Sequence, residues 1–307
     1  LREVAERAEV ELVAGEVVGL EVADGQWRLA IESGEAIAAD GVVYTGAGAP
    51  IMVPGQPQQH PRVFDGRSYW FQERMMKRQL AENVCVIGSG ETAASVVISL
   101  LKKGHRSSTV DVLTSRGVLY SRGESYDENR FYSDPGDWPR LAESHRREFL
   151  ERTDRGVFSL QSEAILNQSR GFRTLAGRAV DIEAGERQVV VTIEYDDESE
   201  RVAYDLVVVA IGFDARAFEA LLGSEASSRL EGALEGAELD RRIEVDLSIA
   251  GLTPPLHVPM LAGLAQGPGF PNLSCLGLMS DRILRRYVPL EEAPPAARIV
   301  SERRELV

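Results

Sequence analysis

The most informative pattern in the chain is a short apolar run, followed by glycines and then by a helix-like segment. Residues 84–87 are four apolar residues, too few for a helix and typical of a buried parallel strand. Gly88 and Gly90 then predict a tight turn, and the helix that Ala93 opens should end at Gly104. Strand, turn and helix are therefore expected to follow one another directly.

Alternating apolar and polar positions on both sides of this unit predict two antiparallel meanders. Their clearest strands are, in chain order, residues 16–22, 27–31, 173–180 and 189–195. Asp24 and Gly25 supply the hairpin turn of the first meander, and a short extra strand is expected at residues 11–13. An apolar run that ends in glycine follows at residues 40–46 and again at residues 204–212. This internal echo predicts an α/β fold with two nucleotide-binding lobes of the same plan.

Two irregular stretches are candidates for functional loops. Residues 126–135 mix polar and aromatic side chains without a period, which suggests a functional loop, with a plain surface loop as the alternative. Residues 267–272 are rich in glycine and proline and lead into an apolar helix predicted at 273–287. The N-terminus of that helix could face a cofactor, or the helix could simply pack with Asn272 as its cap.

The glycine turn has the spacing of a dinucleotide-binding fingerprint. Gly88 permits the turn, Gly90 lets the backbone approach a pyrophosphate, and Ala93 replaces the third glycine and keeps helix and strand close. The helix N-terminus offers free N–H groups and the positive end of its dipole to the phosphates. A glycine turn without a ligand is the alternative, but the preceding strand and following helix favour nucleotide binding.

The end of the next strand, predicted at residues 108–113, indicates which nucleotide binds. An NAD site has an acidic residue there to accept from the ribose 2′-hydroxyl, but this strand ends in Thr114, Ser115 and Arg116. Arg116 could hold a 2′-phosphate through charge-assisted hydrogen bonds. Asp111 is the competing candidate, although it lies inside the strand. NADPH is therefore predicted in preference to NADH.

Composition narrows the class of protein. The 307 residues carry a formal net charge of −14, and the sequence pI is near 4.9, which argues against nucleic acid or an anionic membrane surface as a partner. Cys85 and Cys275 give no disulfide framework, the histidines have no metal-ligand spacing, and no apolar run is long enough to span a membrane. A cytoplasmic protein is expected. Because the sequence starts at Leu1 inside a helix-like segment, we also expect a further N-terminal portion.

Several motifs together resemble the siderophore N-hydroxylating flavin monooxygenases, and within them the mycobactin and nocobactin type of lysine N6-monooxygenase. They are residues 88–94 (GSGETAA), 121–124 (SRGE), Asn129 with 133–135 (SDP), 153–158 (TDRGVF) and 266–278 (QGPGFPNLSCLGL). The resemblance extends from about residue 11 to residue 287, and the last motif is the most specific. It implies two Rossmann-like domains, with FAD and NADPH as cofactors.

The resemblance also implies roles for individual residues. Those expected to contact cofactors are Gly88, Ser89, Gly90, Glu91 and Thr92 at the NADPH pyrophosphate, Arg116 at its adenosine phosphate, Val17 and Gly46 at FAD, and Asn272, Leu273 and Ser274 at the isoalloxazine ring. Asn129, Tyr132 and Cys275 are expected near the substrate. Asp154 falls where ornithine-specific relatives carry an asparagine that serves both substrate and nicotinamide ribose, so this departure puts its role in question. The family's FAD fingerprint and substrate-binding lysine match nothing in this chain.

The resemblance divides the chain into four parts. These are residues 1–62 (the C-terminal half of the first FAD-domain segment), 63–212 (an inserted NADPH domain with substrate loops), 213–290 (the return to the FAD domain) and 291–307 (a tail). The implied partners are O2 and L-lysine, free or within a siderophore precursor, and the protein could be a homo-oligomer. The implied chemistry is reduction of FAD by NADPH, followed by hydroxylation of the terminal amine of the substrate.

Other enzymes and a non-catalytic protein are the alternatives to this interpretation. An L-ornithine N5-monooxygenase or a Baeyer–Villiger-type enzyme would use the same cofactors. A disulfide reductase would need a Cys-x-x-Cys pair, which the sequence lacks. A non-catalytic nucleotide-binding module also stays open, and a flavin spectrum of the full-length protein would distinguish it from the enzymes.

Overall fold

The computed structural model describes residues 2–73, 82–102, 109–123, 125–154, 156–169, 171–232, 234 and 238–288. The strands are β1 (Val17–Ala23), β2 (Gln26–Ile31), β3 (Ala36–Ala39), β4 (Val42–Val43), β5 (Val63–Asp65), β6 (Asn83–Ile87), β7 (Thr109–Thr114), β8 (Tyr120–Ser121), β9 (Val157–Phe158), β10 (Phe172–Ala176), β11 (Arg178–Ala184), β12 (Val189–Tyr195), β13 (Glu198–Tyr204), β14 (Leu206–Val209) and β15 (Leu256–His257). The helices are α1 (Arg2–Arg7), α2 (Ser68–Glu73), α3 (Glu91–Lys102), α4 (Tyr126–Ser133), α5 (Glu143–Thr153), α6 (Leu160–Asn167), α7 (Ser224–Arg229), α8 (Glu238–Arg241), α9 (Gly263–Gln266) and α10 (Leu276–Leu284). Short 3-10 helices lie at Pro135–Arg140, Ala217–Leu221, Pro259–Leu261 and Leu273–Cys275.

A parallel sheet forms the centre of one half of the described chain. Its strands run in the order β10-β7-β6-β14-β5, and every neighbouring pair is parallel. From β6 the chain moves outward to β7 and β10 and then returns to β14 on the other side of β6. That reversal makes the carboxyl ends of β6 and β14 a topological switch point, where doubly wound α/β proteins bind ligands.

Helices cover one face of this sheet and a meander covers the other. On the helical side, Val96, Val97 and Leu100 of α3 pack against Val84 and Val86 of β6. On the opposite side, the antiparallel sheet β11-β12-β13 is packed against apolar side chains of β6 and β14. Because both faces are covered, β6 and β14 are apolar almost throughout, as expected for buried parallel strands.

The other half of the described chain has its own apolar core. It combines the meander β1-β2-β3 with residues between 218 and 283, and the parallel pair β4-β15 lies beside them. Trp27 is fully buried there, and its indole N–H is shared between the carbonyls of Pro254 and Pro255, at 3.1 and 3.0 Å. Burying side chains of this size is worth roughly 1.5–3 kcal/mol each, so this meander is fixed to its core.

The predicted α/β class and both predicted meanders are confirmed. The run at 173–180 is interrupted at Gly177, whose φ of 145° lets the chain leave the parallel sheet as β10 and enter the meander as β11. The run at 40–46 forms only the short strand β4, with Val43 41% exposed.

Other local predictions were wrong. Residues 11–13 form no strand, and residues 126–135 contain α4 instead of an irregular loop. The N-terminus of α4 is closed by a capping box, in which the carboxylate of Glu128 accepts the Ser125 N–H at 3.2 Å. The helix predicted at 273–287 is a 3-10 turn followed by α10, and α3 begins at Glu91. Gly104, expected to end α3, and the motif residues Glu124 and Arg155 lie outside the described residues.

Candidate functional site

A cleft of about 670 Å³ lies at the carboxyl ends of β6, β7 and β14. Residues 88–92 of the glycine loop line it on the side of the parallel sheet. Ala47, Met260 and Pro271, which come from the other half of the chain, line it on the opposite side. The cleft therefore joins the predicted NADPH loop to the loop predicted to face a flavin, at the switch point of the sheet.

Gly88 and Gly90 have different structural reasons to be glycine. Gly88 has a φ of 132°, and a Cβ there would lie 2.3 Å from the carbonyl oxygen of Ala210. At Gly90 the nearest atom to such a Cβ would be the backbone nitrogen of Gly156, at 4.0 Å. Gly88 is therefore required by the backbone of the turn, whereas Gly90 leaves open space beside the N-terminus of α3. That space is what a pyrophosphate needs, so the loop fits a dinucleotide.

Glu91 lines the cleft, but its carboxylate is directed to the start of α6. It accepts the Ser159 N–H at 2.6 Å, the Ser159 hydroxyl at 3.0 Å and the Ser162 hydroxyl at 2.6 Å. A carboxylate facing the pyrophosphate would repel it. These three hydrogen bonds hold the negative charge to the side, and the predicted phosphate contact of Glu91 is left to its backbone. Ser89 lies against the same segment, because a Cβ on Gly156 would be 2.9 Å from its hydroxyl oxygen.

Asp111, the alternative ribose-binding acid, lies away from the cleft. It is 3% exposed and accepts hydrogen bonds from Arg173 at 2.6 and 3.1 Å and from the Tyr204 hydroxyl at 3.0 Å. These contacts hold its carboxylate beneath the meander β11-β12-β13. Asp111 therefore does not line the cleft, and its position gives no support to the NADH interpretation that depended on it.

Arg116 follows β7 as predicted but is not among the residues that line the cleft. Its guanidinium donates to the carbonyl of Glu151 at 2.6 Å and lies 5.6 Å from the centre of the Tyr120 ring. Thr114 and Ser115, which precede it, do line the cleft. The strand end is therefore at the expected place, with the arginine side chain directed elsewhere.

Asp154 lines the cleft at the C-terminal end of α5. Tyr132 lies behind it, only 4% exposed, with its hydroxyl 3.2 Å from that of Thr153 and the Arg122 guanidinium 4.2 Å from its ring centre. Burial, and then the charge of Asp154, raise the pKa of Tyr132 to about 12. Tyr132 is therefore a neutral phenol at physiological pH that supports the Asp154 segment from behind.

The three predicted substrate residues are not brought together around one space. Asn129 is exposed on α4, whereas Cys275 is buried, and its thiol donates to the carbonyl of Tyr132 at 3.0 Å. Burial also raises the pKa of this thiol. Gly269 completes the contact, because a Cβ there would lie 2.2 Å from the same carbonyl and 2.4 Å from the sulfur. Tyr132 and Cys275 thus join α4 to the glycine-proline loop by packing.

Asn272, Leu273 and Ser274, predicted to face the flavin, are not among the residues that line the cleft. The side-chain oxygen of Asn272 accepts the Ser274 N–H at 2.8 Å, and its amide donates to the Pro268 carbonyl at 2.9 Å, so it caps the turn that Leu273 begins. Ser274 is exposed, and the side chain of Leu273 is outside the described part of the chain. The capping role is the alternative that the sequence left open. Pro271, next to Asn272, reaches the cleft.

Val17 and Gly46 lie on the side of the first meander. Val17 pairs with Ile31 in β1-β2 and packs against the apolar core. Gly46 is exposed, and the nearest atoms to a Cβ there would be 3.3 Å away in the Tyr44 ring. Gly48 is the more constrained position, with a φ of 74° and the Asp214 carbonyl oxygen 1.9 Å from an added Cβ.

Sequence reasoning missed several residues that line the cleft. Among them are Ile51, Met52, Arg178 and Met260. Arg178 follows Gly177, and this glycine could have marked the end of a strand. The sequence pattern predicted one continuous strand at 173–180 instead, so the break before Arg178 was missed. Ile51 and Met52 belong to a stretch rich in proline and glutamine that resembles a linker, and nothing local marks Met260 as a cleft residue.

Two kinds of site are not found in the part of the chain that the structure describes. There, no group of three or more histidine, cysteine or acidic side chains is arranged to hold a metal ion. None of the described helices has the length and apolar character needed to cross a membrane.

Comparisons with known proteins agree with this geometry. A model of the pyridine nucleotide-disulphide oxidoreductase family matches residues 83–247. The L-lysine N6-monooxygenase MbtG of Mycobacterium sp. (strain MCS) is 42% identical over 295 residues, which cover 92% of this chain and 67% of that protein. The solved structure of lysine monooxygenase NbtG from Nocardia farcinica matches with a TM-score of 0.71 and 34% identity, covering 92% of this chain and 69% of that one.

The ornithine N-hydroxylase KtzI from Kutzneria sp. 744 has a similar fold, with a TM-score of 0.72 at 17% identity over 93% of this chain and 75% of that one. At that identity the likeness concerns the fold alone. The chain spans about two thirds of the length of the curated relatives it matches, 67% of one and 66% of another.

Proposed function

This chain belongs to the L-lysine N6-monooxygenase family, and we propose that the protein hydroxylates the side-chain amine of L-lysine, free or within a siderophore precursor, using NADPH, FAD and O2. The single observation that carries the proposal is the shared cleft. One side of it is a glycine loop with space for a pyrophosphate, and the other side includes Pro271 of the glycine-proline loop. Two dinucleotides approaching from opposite sides would meet there.

We propose that NADPH binds with its pyrophosphate on the backbone N–H groups of the loop from Gly88 through Ser89, Gly90 and Glu91 to Thr92. The dipole of α3 would favour the phosphates by about 0.3–2 kcal/mol. Asp154, on the cleft wall, is proposed to contact the nicotinamide ribose. The contact of Arg116 with the 2′-phosphate, expected from the end of β7 and from the resemblance, stays a prediction, and it requires the guanidinium to leave the Glu151 carbonyl.

FAD is proposed to lie on the opposite wall, with Val17 and Gly46 toward its adenine end and Asn272, Leu273 and Ser274 toward its ring. Bound FAD, once reduced, supplies the activation of O2 that the reaction needs. The capped turn at Asn272 fixes the backbone of that wall, and α10 follows it. Residues 1–62 and 213–290 would then form the FAD domain, with residues 63–212 as the NADPH domain between them.

The substrate amine must be neutral to act as a nucleophile, whereas free lysine has an amine pKa of about 10.4. A cleft that excludes water lowers this pKa, because burial disfavours the charged form. We propose that Asn129 contacts the substrate, and that Tyr132 and Cys275 position the surrounding segments through packing. A cytoplasmic location and a homo-oligomeric state are part of the same proposal.

The test is NADPH-dependent hydroxylamine formation by the full-length protein with FAD, assayed on L-lysine, L-ornithine and cadaverine. We expect a flavin absorption spectrum and product from L-lysine. If product forms mainly from ornithine or cadaverine, the proposed substrate is wrong but the proposed reaction stands. A flavin spectrum without hydroxylamine would favour another flavin monooxygenase, and the absence of both flavin and NADP⁺ binding would reject the enzyme altogether.

A further inference from the structure

The adenosine end of the cleft contains an arginine to which the sequence assigned no role. β10 is the parallel neighbour of β7, with Ala176 opposite Thr114, so the residues after both strands lie side by side. In a dinucleotide-binding sheet, the end of the strand after the glycine loop is where the ribose 2′ position is recognised. Here that place is formed by Ser115 after β7 and by Gly177 and Arg178 after β10.

Arg178 is exposed and lines the cleft. Its side chain makes no hydrogen bond or ion pair to another residue in the described part of the chain. Its position is fixed by Gly177, because the φ of 145° sets the break between β10 and β11, and the side chain of Ile193 lies 2.5 Å from a Cβ added at Gly177. The arginine is therefore the first residue of β11, held beside the mouth of the site.

The two other arginines nearby are already engaged. The guanidinium of Arg116 donates to the Glu151 carbonyl, at 2.6 Å. The guanidinium of Arg173 donates to the carboxylate of Asp111, at 2.6 and 3.1 Å. Among the described residues that line the cleft, Arg178 is thus the positively charged side chain beside Ser115, and its five N–H donors are available to a ligand.

The surroundings of Arg178 make a cation necessary if a phosphate is to bind there. Glu194, Asp196, Asp197 and Glu198 line a depression that Arg178 also borders. Their negative charge would repel the 2′-phosphate of NADPH and would have little effect on the uncharged 2′-hydroxyl of NADH. A guanidinium between this acidic hairpin and the cleft can form two parallel hydrogen bonds with a phosphate.

We propose that Arg178 pairs with the 2′-phosphate of NADPH and sets the preference for NADPH over NADH. This inference rests on the proposed coenzyme and assigns to Arg178 the role that the resemblance gave to Arg116. Because the acidic hairpin remains when the guanidinium is removed, the loss should be large for the phosphorylated nucleotide and small for the other.

The experiment compares 2′,5′-ADP with 5′-AMP, which differ only in the 2′-phosphate, by titration calorimetry on the full-length protein. Wild type should bind 2′,5′-ADP at least tenfold more tightly. Arg178→Ala should weaken 2′,5′-ADP binding by 10- to 100-fold and change 5′-AMP binding less than twofold, and Arg178→Lys should fall between. Arg201→Ala is the matched control, because Arg201 is an exposed arginine of the same meander, paired with Glu183 and outside the cleft.

If a folded Arg178→Ala protein loses less than threefold of its affinity for 2′,5′-ADP, the inference is overturned. If Arg116→Ala instead weakens 2′,5′-ADP binding selectively, Arg116 is the residue that binds the 2′-phosphate. If wild type binds both probes equally, the proposed coenzyme fails together with the inference, and that result is distinct from a failure of Arg178 alone. Melting temperatures of all variants identify any that do not fold.

Discussion

At the scale of single residues, the two glycines of the loop that lines the cleft differ in whether the fold itself requires them. Gly88 combines a φ of 132° with a backbone oxygen 2.3 Å from an added Cβ, so both conformation and space exclude a side chain. At Gly90 the nearest atom to an added Cβ is 4.0 Å away, so the fold itself does not require a glycine there. Alanine at position 88 should therefore lower stability, whereas alanine at position 90 should leave stability unchanged and weaken NADP⁺ binding.

We expect Gly88→Ala to lower the free energy of unfolding by about 2–4 kcal/mol, because strained backbone and a steric clash add together. We expect Gly90→Ala to leave the melting temperature nearly unchanged and to weaken NADP⁺ binding at least tenfold, since its methyl group occupies the phosphate space. Thermal unfolding and calorimetric titration of both variants check this. Normal NADP⁺ affinity in Gly90→Ala would place the pyrophosphate elsewhere.

His257 makes stability depend on pH. It is fully buried, its Nδ1 donates to the Asp246 carbonyl at 2.7 Å, and its Nε2 accepts the Tyr287 hydroxyl at 2.7 Å. This arrangement satisfies the neutral imidazole, and burial lowers the pKa of His257, an effect that the nearby Asp246 opposes and Arg286 reinforces. The folded state therefore binds this proton less readily than the unfolded state, whose histidine pKa is about 6.5.

The contribution of His257 to the free energy of unfolding is fully present above pH 6.5. It decreases as the pH falls from 6.5 toward the folded-state pKa, by at most about 1.4 kcal/mol per pH unit. We expect His257→Gln to be less stable than wild type at pH 8 and to lose less further stability between pH 7 and pH 5. Urea unfolding at a series of pH values measures both slopes. His145→Gln, at an exposed position of α5, is the control, and an equal change of slope in both variants would contradict the assignment to His257.

At the scale of elements, the sequence predicted what local pattern determines and failed where distant contacts decide. The four apolar residues before Gly88 and the alternation of β1 and β2 specify their strands directly. The helix α4 was missed because its packing depends on residues far along the chain, such as Cys275, whose thiol meets the Tyr132 carbonyl. Its capping box of Ser125 and Glu128 was the local signal that could have identified it.

The same division applies to the candidate site. The spacing of Gly88, Gly90 and Ala93 was sufficient to locate a glycine loop that lines the cleft, and its binding of phosphate stays a prediction. The direction of a long side chain was not predictable, because it depends on which partner the fold supplies. Arg116 is directed to Glu151 and Asp111 to Arg173, and neither partner is adjacent to it in sequence.

The contact between α3 and α6 provides a prediction at this scale. Because the Glu91 carboxylate accepts three hydrogen bonds from Ser159 and Ser162, Glu91→Ala should lower the unfolding free energy by about 1–2 kcal/mol, and Glu91→Gln by less. NADP⁺ affinity in Glu91→Gln should stay within twofold of wild type, since the charge is already held away from the phosphates. Urea unfolding and titration calorimetry measure the two quantities. Much tighter NADP⁺ binding in Glu91→Gln would instead mean that the carboxylate faces the pyrophosphate.

At the scale of the whole molecule, the cleft exists only because the two halves of the described chain are held together. Trp138 lies between them and is fully buried. Its ring centre is 5.4 Å from that of Phe131 and 5.3 Å from that of Phe149. Its indole N–H donates to the carbonyl of Leu264 at 3.0 Å. At the surface, Arg241 of α8 reaches Glu143 of α5 at 2.9 Å. Hydrogen bonds from Arg241 and Arg147 lower the pKa of Glu143 to about 2.

The buried Trp138 cluster and the exposed Arg241–Glu143 ion pair should contribute very differently to holding the two halves together. An exposed ion pair is screened by solvent, whereas a buried aromatic cluster with a satisfied indole is not. We therefore expect Trp138→Phe to lower the unfolding free energy by about 1–3 kcal/mol and to weaken NADP⁺ binding, because the wall carrying Met260 and Pro271 moves relative to the glycine loop. Arg241→Gln should leave both nearly unchanged. If the surface variant weakens coenzyme binding as much as the buried one, the geometry of the cleft is controlled by charges at the boundary and not by packing.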